Sequence, residues 1–187
     1  MNKIRGFEQL SCIKQSIKLP QRSTAKSACY DLNVFHPDLY RFMIFNNYTP
    51  DEAYEKLVLG HSLDPVEPDN NGIIVLPTGI KAYMPSDEVL MCYVRSSTGI
   101  KEGITLANGT AVIDSDYYNN PKNEGHIMIA LRLPPRYDII NRRIMYDSIS
   151  FDGPSIRVAQ AMFIKFGIID NDNATQERIG GIGSTNL

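Results

Sequence analysis

The chain has 187 residues, of which 43% are apolar and 21% charged, so it can form one domain with a sizeable core. Its formal net charge of −2 argues against broad electrostatic binding to nucleic acid, although a local cluster of donors can still hold a nucleotide-sized anion. Three scattered cysteines without a CxxC pair favour a reducing cytoplasm over disulfides or zinc, and neither a signal peptide nor an apolar run long enough to span a membrane is present.

Short runs of branched and aromatic residues, bounded by turn residues, dominate the chain and predict strands. The predicted strands are residues 73–76, 89–94, 104–106, 110–113, 127–133 and 156–166. The Asn108-Gly109 step between the third and fourth runs is a strong hairpin signal. Many short strands with frequent turns predict an all-β barrel or jelly roll rather than a βαβ fold.

The segment 35–70 departs from this pattern and predicts a short helix near residues 50–59. Thr49 is the expected N-cap, Pro50 the first helical residue and Glu52 the partner that closes a capping box. Gly60 is the expected stop. We interpret 35–70 as an insertion in the β fold that either covers a barrel edge, the favoured interpretation, or binds a partner.

Three polar features of the central region each allow two interpretations when considered alone. The stretch from Arg95 to Gly99 is typical of a polar turn, but its cation, hydroxyls and free N–H groups can also surround phosphate oxygens. Asp114, at the end of an apolar run, is a turn former or a general base. Asn108 suits the edge of a pyrimidine, and it equally suits the positive φ of a hairpin tip.

Five short motifs follow one another between residues 19 and 185. They are Leu19-Pro20 with Ala28-Cys29-Tyr30-Asp31-Leu32, then Arg95-Ser96-Ser97, then Gly103 to Asn108 with Ile113-Asp114-Ser115-Asp116-Tyr117, then Arg157-Val158-Ala159-Gln160, and finally Arg178 to Thr185. Their order and spacing resemble those of the homotrimeric dUTP pyrophosphatase (dUTPase) family. The resemblance implies one domain over 1–187 with an all-β distorted barrel or jelly roll, and hydrolysis of dUTP to dUMP and pyrophosphate.

The chain departs from the family pattern at several places. Cys29 stands where the family usually has glycine, and Asn186 replaces a glycine of the tail. Ile182 replaces the aromatic residue that stacks on the base, which removes a contact of about 1 kcal/mol. Arg178 lies nearer the glycines than the usual arginine does. The segment that follows the tyrosine motif is short in the family, whereas here it is a longer loop over residues 118–125.

The resemblance implies the following catalytic roles. Asp114 would be the general base that orients a water for in-line attack on the α-phosphorus, and Gln160 would help to position that water. Ser96 would hold phosphate oxygens on which charge develops. The residues implied in binding the phosphates are Arg95, Ser96, Ser97 and, on the γ-phosphate, Arg178.

The resemblance also implies how the nucleoside is selected. The backbone between Asn108 and Asp114 would pair with the uracil edge in a slot too narrow for the 5-methyl group of thymine. Tyr117, beneath the sugar, would exclude a 2′-hydroxyl. The other residues implied in binding substrate are Val112, Ile113, Met128 and, in a mobile glycine-rich lid over 174–187, Ile182, Gly183 and Ser184.

The family further implies a cofactor and an assembly. Mg²⁺ would be held by the triphosphate and water, as hard cations often are, so no protein ligand to the metal is named. Each site would take motifs from three chains, so the enzyme would be a homotrimer and a monomer would be inactive.

Two alternatives share the scaffold. A dCTP deaminase-like enzyme needs a glutamate on the strand after the Ile113-Asp114 element, and Ala130 occupies the matching position here. A phage-type regulatory protein would instead bind a repressor through the segment 35–70. Ammonia release from dCTP distinguishes the first alternative, and partner capture distinguishes the second.

Overall fold

The computed structural model describes residues 3–58, 63–176 and 178, which form an antiparallel β framework with three short helices. The strands are β1 (Gly6–Gln9), β2 (Tyr30–Val34), β3 (Ile73–Pro77), β4 (Ile80–Tyr83), β5 (Glu88–Val94), β6 (Thr105–Leu106), β7 (Ala111–Asp114), β8 (Met128–Arg132), β9 (Pro135–Asp138), β10 (Arg143–Tyr146) and β11 (Ile156–Lys165). The helices are α1 (Pro37–Asn46), α2 (Pro50–Val58) and α3 (Ser96–Glu102), and a 3₁₀ turn covers Ser115–Tyr117. None of these helices has the length and hydropathy of a membrane span.

Two antiparallel sheets enclose the core. The larger has the strand order β2-β11-β5-β7, and the smaller has the order β3-β8-β6. Along β8 buried side chains alternate with more exposed ones, as expected for a sheet with one solvated face. Leu32, Leu90 and Ala161 from the larger sheet, with Leu76 and Leu131 from the smaller, are fully buried in one apolar cluster. The predicted all-β architecture is therefore confirmed.

Each of the six predicted strands is present, with its ends shifted by at most two residues. Five further strands were not predicted, and they are β1, β2, β4, β9 and β10. These strands are four or five residues long and carry charged residues, glycine or proline, so their local signal is weak. Long-range ladders define them, such as that of β1 with β4.

The predicted hairpin around Asn108 is wrong in its pairing. Gly109 does make a tight turn, with a φ of 72° and an N–H that donates to the carbonyl oxygen of Leu106 at 3.0 Å. However, β6 pairs with β8 and β7 pairs with β5, so the two arms belong to different sheets. β6 and β7 diverge because each of them pairs with a longer strand from elsewhere in the chain.

The segment 35–70 contains two helices where one was predicted. The capping box of α2 is confirmed, since the Thr49 N–H donates to the Glu52 carboxylate at 2.9 Å and the Glu52 N–H donates to the Thr49 hydroxyl at 3.3 Å. The stop expected at Gly60 lies outside the described residues. Helix α1 was not predicted, and it buries Leu39 and Met43 in the core. The segment thus contributes to the core as well as covering it.

The stretch that begins at Arg95, expected to be a polar turn, is helical instead. Arg95 is the extended N-cap residue of α3, and the Gly99 N–H donates to the Arg95 carbonyl oxygen at 2.9 Å. Thr98 is buried, and it anchors this short helix despite the glycine within it. Ser96 and Ser97 lie exposed in the first turn, where backbone N–H groups have no partner within the helix.

Candidate active site

A cavity of about 300 Å³ opens where the two sheets separate. Its walls come from the turn after β6, from β7, from the start of β8 and from Arg178 near the end of the chain. Seven of the predicted site residues line this cavity together. They are Asn108, Val112, Ile113, Asp114, Tyr117, Met128 and Arg178.

The cavity has unpaired strand edges in its walls because of the strand order. β7 is the outermost strand of the larger sheet, and β6 is the outermost strand of the smaller one. An outermost strand leaves every other N–H and C=O group without a ladder partner. Backbone donors and acceptors at the mouth of a flat slot can pair with the edge of a planar base.

Asp114 is the last residue of β7, and its carboxylate is 46% exposed. The guanidinium of Arg178 donates to this carboxylate and, through Nε at 2.9 Å, to Oδ1 of Asp116. Arg178 itself is only 20% exposed. A half-exposed carboxylate and a guanidinium, a group suited to binding phosphate, therefore lie in direct contact in one cavity.

Tyr117 ends the 3₁₀ turn, and its hydroxyl makes two hydrogen bonds. The hydroxyl donates to the carbonyl oxygen of His126 at 3.0 Å and accepts from Nδ2 of Asn123 at 2.8 Å. Asn123 and His126 also line the cavity. Neither residue was predicted to belong to the site. The only signal available was the lengthened 118–125 loop.

The imidazole of His126 is held neutral. Burial lowers the pKa of His126 to about 4, only partly opposed by the nearby Glu124 carboxylate. Nε2 accepts the Gly79 N–H at 3.1 Å, and the ring stacks on Tyr40 of α1 with centroids 5.5 Å apart. Helix α1 of the segment 35–70 therefore supports one wall of the cavity.

A second polar cluster contains the predicted residues Arg95 and Gln160. One carboxylate oxygen of Asp31 forms an ion pair with Nε of Arg95 at 3.2 Å, and the other accepts a hydrogen bond from Nη1 of Arg157 at 3.2 Å. Nε2 of Gln160 donates to the Val94 carbonyl oxygen at 3.4 Å. Residues of the first, second and fourth motifs thus meet at the end of β5, beside the exposed hydroxyls of α3.

Within one chain these two clusters are far apart. Asp114 pairs with Val89 near the start of β5, whereas Ser96 follows the end of that strand. Seven residues of extended chain separate Val89 from Ser96, which corresponds to roughly 20 Å. The structure therefore does not bring Asp114 together with Arg95, Ser96, Ser97 or Gln160 in a single chain.

Three predicted residues of the tail, Ile182, Gly183 and Ser184, lie outside the described residues, as does most of the predicted lid over 174–187. Within residues 3–58, 63–176 and 178, no three His, Cys, Asp or Glu side chains are grouped to hold a metal ion.

No protein-family model matches the chain, but the chain is similar to known proteins in sequence and in structure. A deoxyuridine 5′-triphosphate nucleotidohydrolase from Lactococcus lactis subsp. lactis is 37% identical over 186 residues, which cover 98% of each chain. The crystal structure of a dUTPase from Streptococcus mutans aligns with a TM-score of 0.58 at 32% identity, over 89% of this chain and 99% of that one. A dUTPase of Staphylococcus bacteriophage 80alpha aligns with a TM-score of 0.56 over 94% of this chain and 98% of its own, and at 13% identity it is similar in fold alone.

Proposed function

The chain belongs to the deoxyuridine 5′-triphosphate nucleotidohydrolase (dUTPase) family and is a dUTP diphosphatase, and we propose that its reaction takes place at Asp114. The observation that supports this site best is the convergence of Asn108, Asp114 and Tyr117 on one cavity. A volume of about 300 Å³ suits a nucleoside, with the triphosphate extending toward Arg178.

In the proposed reaction Asp114 takes a proton from water while the water oxygen bonds to the α-phosphorus. The bond from that phosphorus to the oxygen shared with the β-phosphorus breaks, and pyrophosphate leaves. The half-exposed carboxylate of Asp114 can accept the proton and later release it to solvent. General-base catalysis of this kind contributes about 10²–10⁴ in rate.

Arg178 has two roles in the proposal. Without nucleotide it pairs with the carboxylates of Asp114 and Asp116. With dUTP bound, its guanidinium would transfer to the γ-phosphate, which leaves Asp114 free to accept a proton. Ile182, Gly183 and Ser184 would follow in the closing tail.

Selection of the base rests on the unpaired edges beside the cavity. We propose that backbone groups between Asn108 and Asp114 pair with uracil, with Val112, Ile113 and Met128 closing the slot around it. In this proposal the rigid edge leaves no room for a 5-methyl group, and its backbone donors and acceptors would pair with uracil rather than with cytosine.

The separation of the two polar clusters supports a composite site in a homotrimer. Arg95, Ser96, Ser97 and Gln160 would reach Asp114 from a neighbouring subunit. Within one chain roughly 20 Å separates Asp114 from Ser96, and Gln160 pairs with Tyr93, well along β5 from Val89, the partner of Asp114. Mixed trimers test this idea. Asp114→Asn and Ser96→Ala subunits, each weakly active alone, should recover activity after denaturation and refolding together. Activity that stays at the level of the separate variants would mean that each site lies within one chain.

Mg²⁺ is the proposed cofactor, held by the triphosphate and water. The exposed carboxylates of Asp114 and Asp116 suit the coordinated waters of such a hard cation. When bound, the ion would neutralise phosphate charge and fix the coil of the triphosphate.

Cys12, Cys29 and Cys92 are free thiols, which supports a reducing, cytoplasmic location.

Deamination of dCTP is not favoured by the cavity. Ala130 lines the wall at the position that a deaminase would fill with glutamate, and a methyl group cannot transfer a proton.

Binding of a repressor through the segment 35–70 stays a prediction. Phe45, 90% exposed on α1, is the side chain on which such a contact would depend.

The test of the proposed function is a substrate panel. Purified protein with Mg²⁺ should release pyrophosphate from dUTP and only weakly from dTTP, dCTP or UTP. Equal hydrolysis of dUTP and dTTP would refute the proposed slot. Ammonia release from dCTP would refute the assignment of the reaction.

A further inference from the structure

The Tyr117 side chain is held by a loop, Tyr118 to Gly125, that is longer than the step usual in the family. Its hydroxyl lies between two groups of this region, the amide of Asn123 at 2.8 Å and the carbonyl oxygen of His126 at 3.0 Å. Both distances lie within the range of protein hydrogen bonds, so the two bonds restrain the direction of the ring as well as its place.

Both polar atoms of the Asn123 amide make hydrogen bonds within this region. Nδ2 donates to the Tyr117 hydroxyl, while Oδ1 accepts from Nδ2 of Asn120 at 2.6 Å and from the Gly125 N–H at 3.1 Å. Although Asn123 lines the cavity, both of its amide atoms are directed at protein partners. This arrangement suits a group that positions Tyr117 rather than one that binds nucleotide.

The loop itself has little freedom to move. Asn120 is buried, and its side chain donates to the Tyr117 carbonyl oxygen at 3.0 Å. Gly125 has a φ of 82°, and a Cβ there would lie 2.5 Å from the same carbonyl oxygen. The loop thus packs directly against the Tyr117 backbone, at a distance that only glycine allows.

Contacts on the outer side of the loop hold it to the rest of the fold. The Glu124 carboxylate accepts the Ser11 N–H at 3.1 Å and Nζ of Lys81 at 3.2 Å. At the far end the His126 ring stacks on Tyr40. The support of Tyr117 is therefore continuous with the N-terminal segment and with helix α1.

We propose that Asn123 is a positioning residue that sets the discrimination between dUTP and UTP by holding the ring of Tyr117. The inference rests on the proposed function, in which Tyr117 lies beneath the sugar. The Tyr117 ring excludes a 2′-hydroxyl only if it stays in place. If the ring could move aside, UTP would fit and the steric selection would be lost. Two hydrogen bonds to its hydroxyl remove that freedom.

The experiment is a double-mutant cycle read as a ratio of specificities. The value of kcat/KM for dUTP is divided by that for UTP in wild type, Asn123→Ala, Tyr117→Phe and the double variant. Tyr117→Phe keeps the ring and removes both hydrogen bonds. Asn119→Gly is the matched control, since Asn119 lies in the same loop with a φ of 57° and its side chain bonds Lys81 instead of Tyr117.

Asn123→Ala should lower the ratio about threefold to tenfold, the range expected for one hydrogen bond. The double variant should be no worse than Tyr117→Phe, because Asn123 acts through the hydroxyl that this change removes. The Asn119→Gly control should keep the wild-type ratio.

Three results would overturn the inference. One is an unchanged ratio in an active Asn123→Ala enzyme, and another is a double variant whose loss equals the product of the single losses. If Asn123→Ala does not fold, an unchanged ratio in Tyr117→Phe alone is decisive. None of these results affects the proposed function, which the substrate panel on the wild type tests separately.

Discussion

Acidification from pH 7 to pH 5 is expected to destabilise the fold through His126. The folded protein keeps this imidazole neutral, because burial lowers the pKa of His126 to about 4. In the unfolded chain the same group has a pKa near ~6.5. Between these values the unfolded state binds a proton that the folded state does not. Stability is therefore greatest above pH ~6.5 and falls as the pH decreases toward 4.

The size of the effect follows from the two pKa values. Between pH 7 and pH 5 the difference in proton binding of His126 corresponds to about 2 kcal/mol of unfolding free energy. The Glu124 carboxylate beside it has a lowered pKa, chiefly through its hydrogen bonds to Ser11, so its own contribution is lost at lower pH. Most of the loss above pH 5 is thus assigned to His126.

Urea unfolding at pH 7, 6, 5.5 and 5 measures this loss, at one fixed subunit concentration because oligomer stability depends on concentration. The matched variant is His126→Gln, whose side-chain oxygen can still accept the Gly79 N–H but cannot titrate. The wild type should lose about 2 kcal/mol between pH 7 and pH 5, and the variant less than half of that. Equal losses in the two proteins would refute the reasoning.

Three further predictions concern single residues. Gly125→Ala should destabilise the protein by at least about 2 kcal/mol in thermal unfolding, because it combines a positive φ with a clash against Tyr117; a smaller change would mean that the loop can shift. Asp31→Asn should lower kcat/KM for dUTP about ten- to a hundredfold by loosening Arg95, the proposed phosphate ligand, and unchanged kinetics would contradict that role. Leu39→Ala in α1 should cost about 2–5 kcal/mol of unfolding free energy, against under about 0.5 kcal/mol for the exposed control Phe45→Ala, and similar costs would show that α1 does not stabilise the core.

The sequence predicted correctly those secondary-structure elements that depend on contacts between residues close together in the chain. The capping box at Thr49 and Glu52 forms as expected, because both partners lie within one turn. Helix α1 was missed because His36, an unusual N-cap, starts it, and aromatic and branched residues fill its interior. Burial of Leu39 and Met43 in the core favours this helix, and such tertiary packing cannot be recognised from a window of ten residues.

The same distinction between local and long-range causes applies to the residues of the candidate site. The motif order identified the cavity residues Asn108, Asp114 and Tyr117, because the family resemblance includes their spacing. It did not predict that β6 and β7 join different sheets, since pairing partners lie far away in the chain. Asn123 and His126 were missed for a related reason, as their roles arise from a loop with no counterpart in the motif pattern.

The proposed base is tested by pyrophosphate release from dUTP by the Asp114→Asn enzyme, compared with wild type at saturating Mg²⁺ and equal protein concentration. The amide keeps the size of the side chain and its place at the end of β7 but cannot accept a proton from water. The variant should bind dUTP and turn over about 10²–10⁴ times more slowly. Turnover within a few fold of wild type, in a variant of normal stability, would show that another group activates the water.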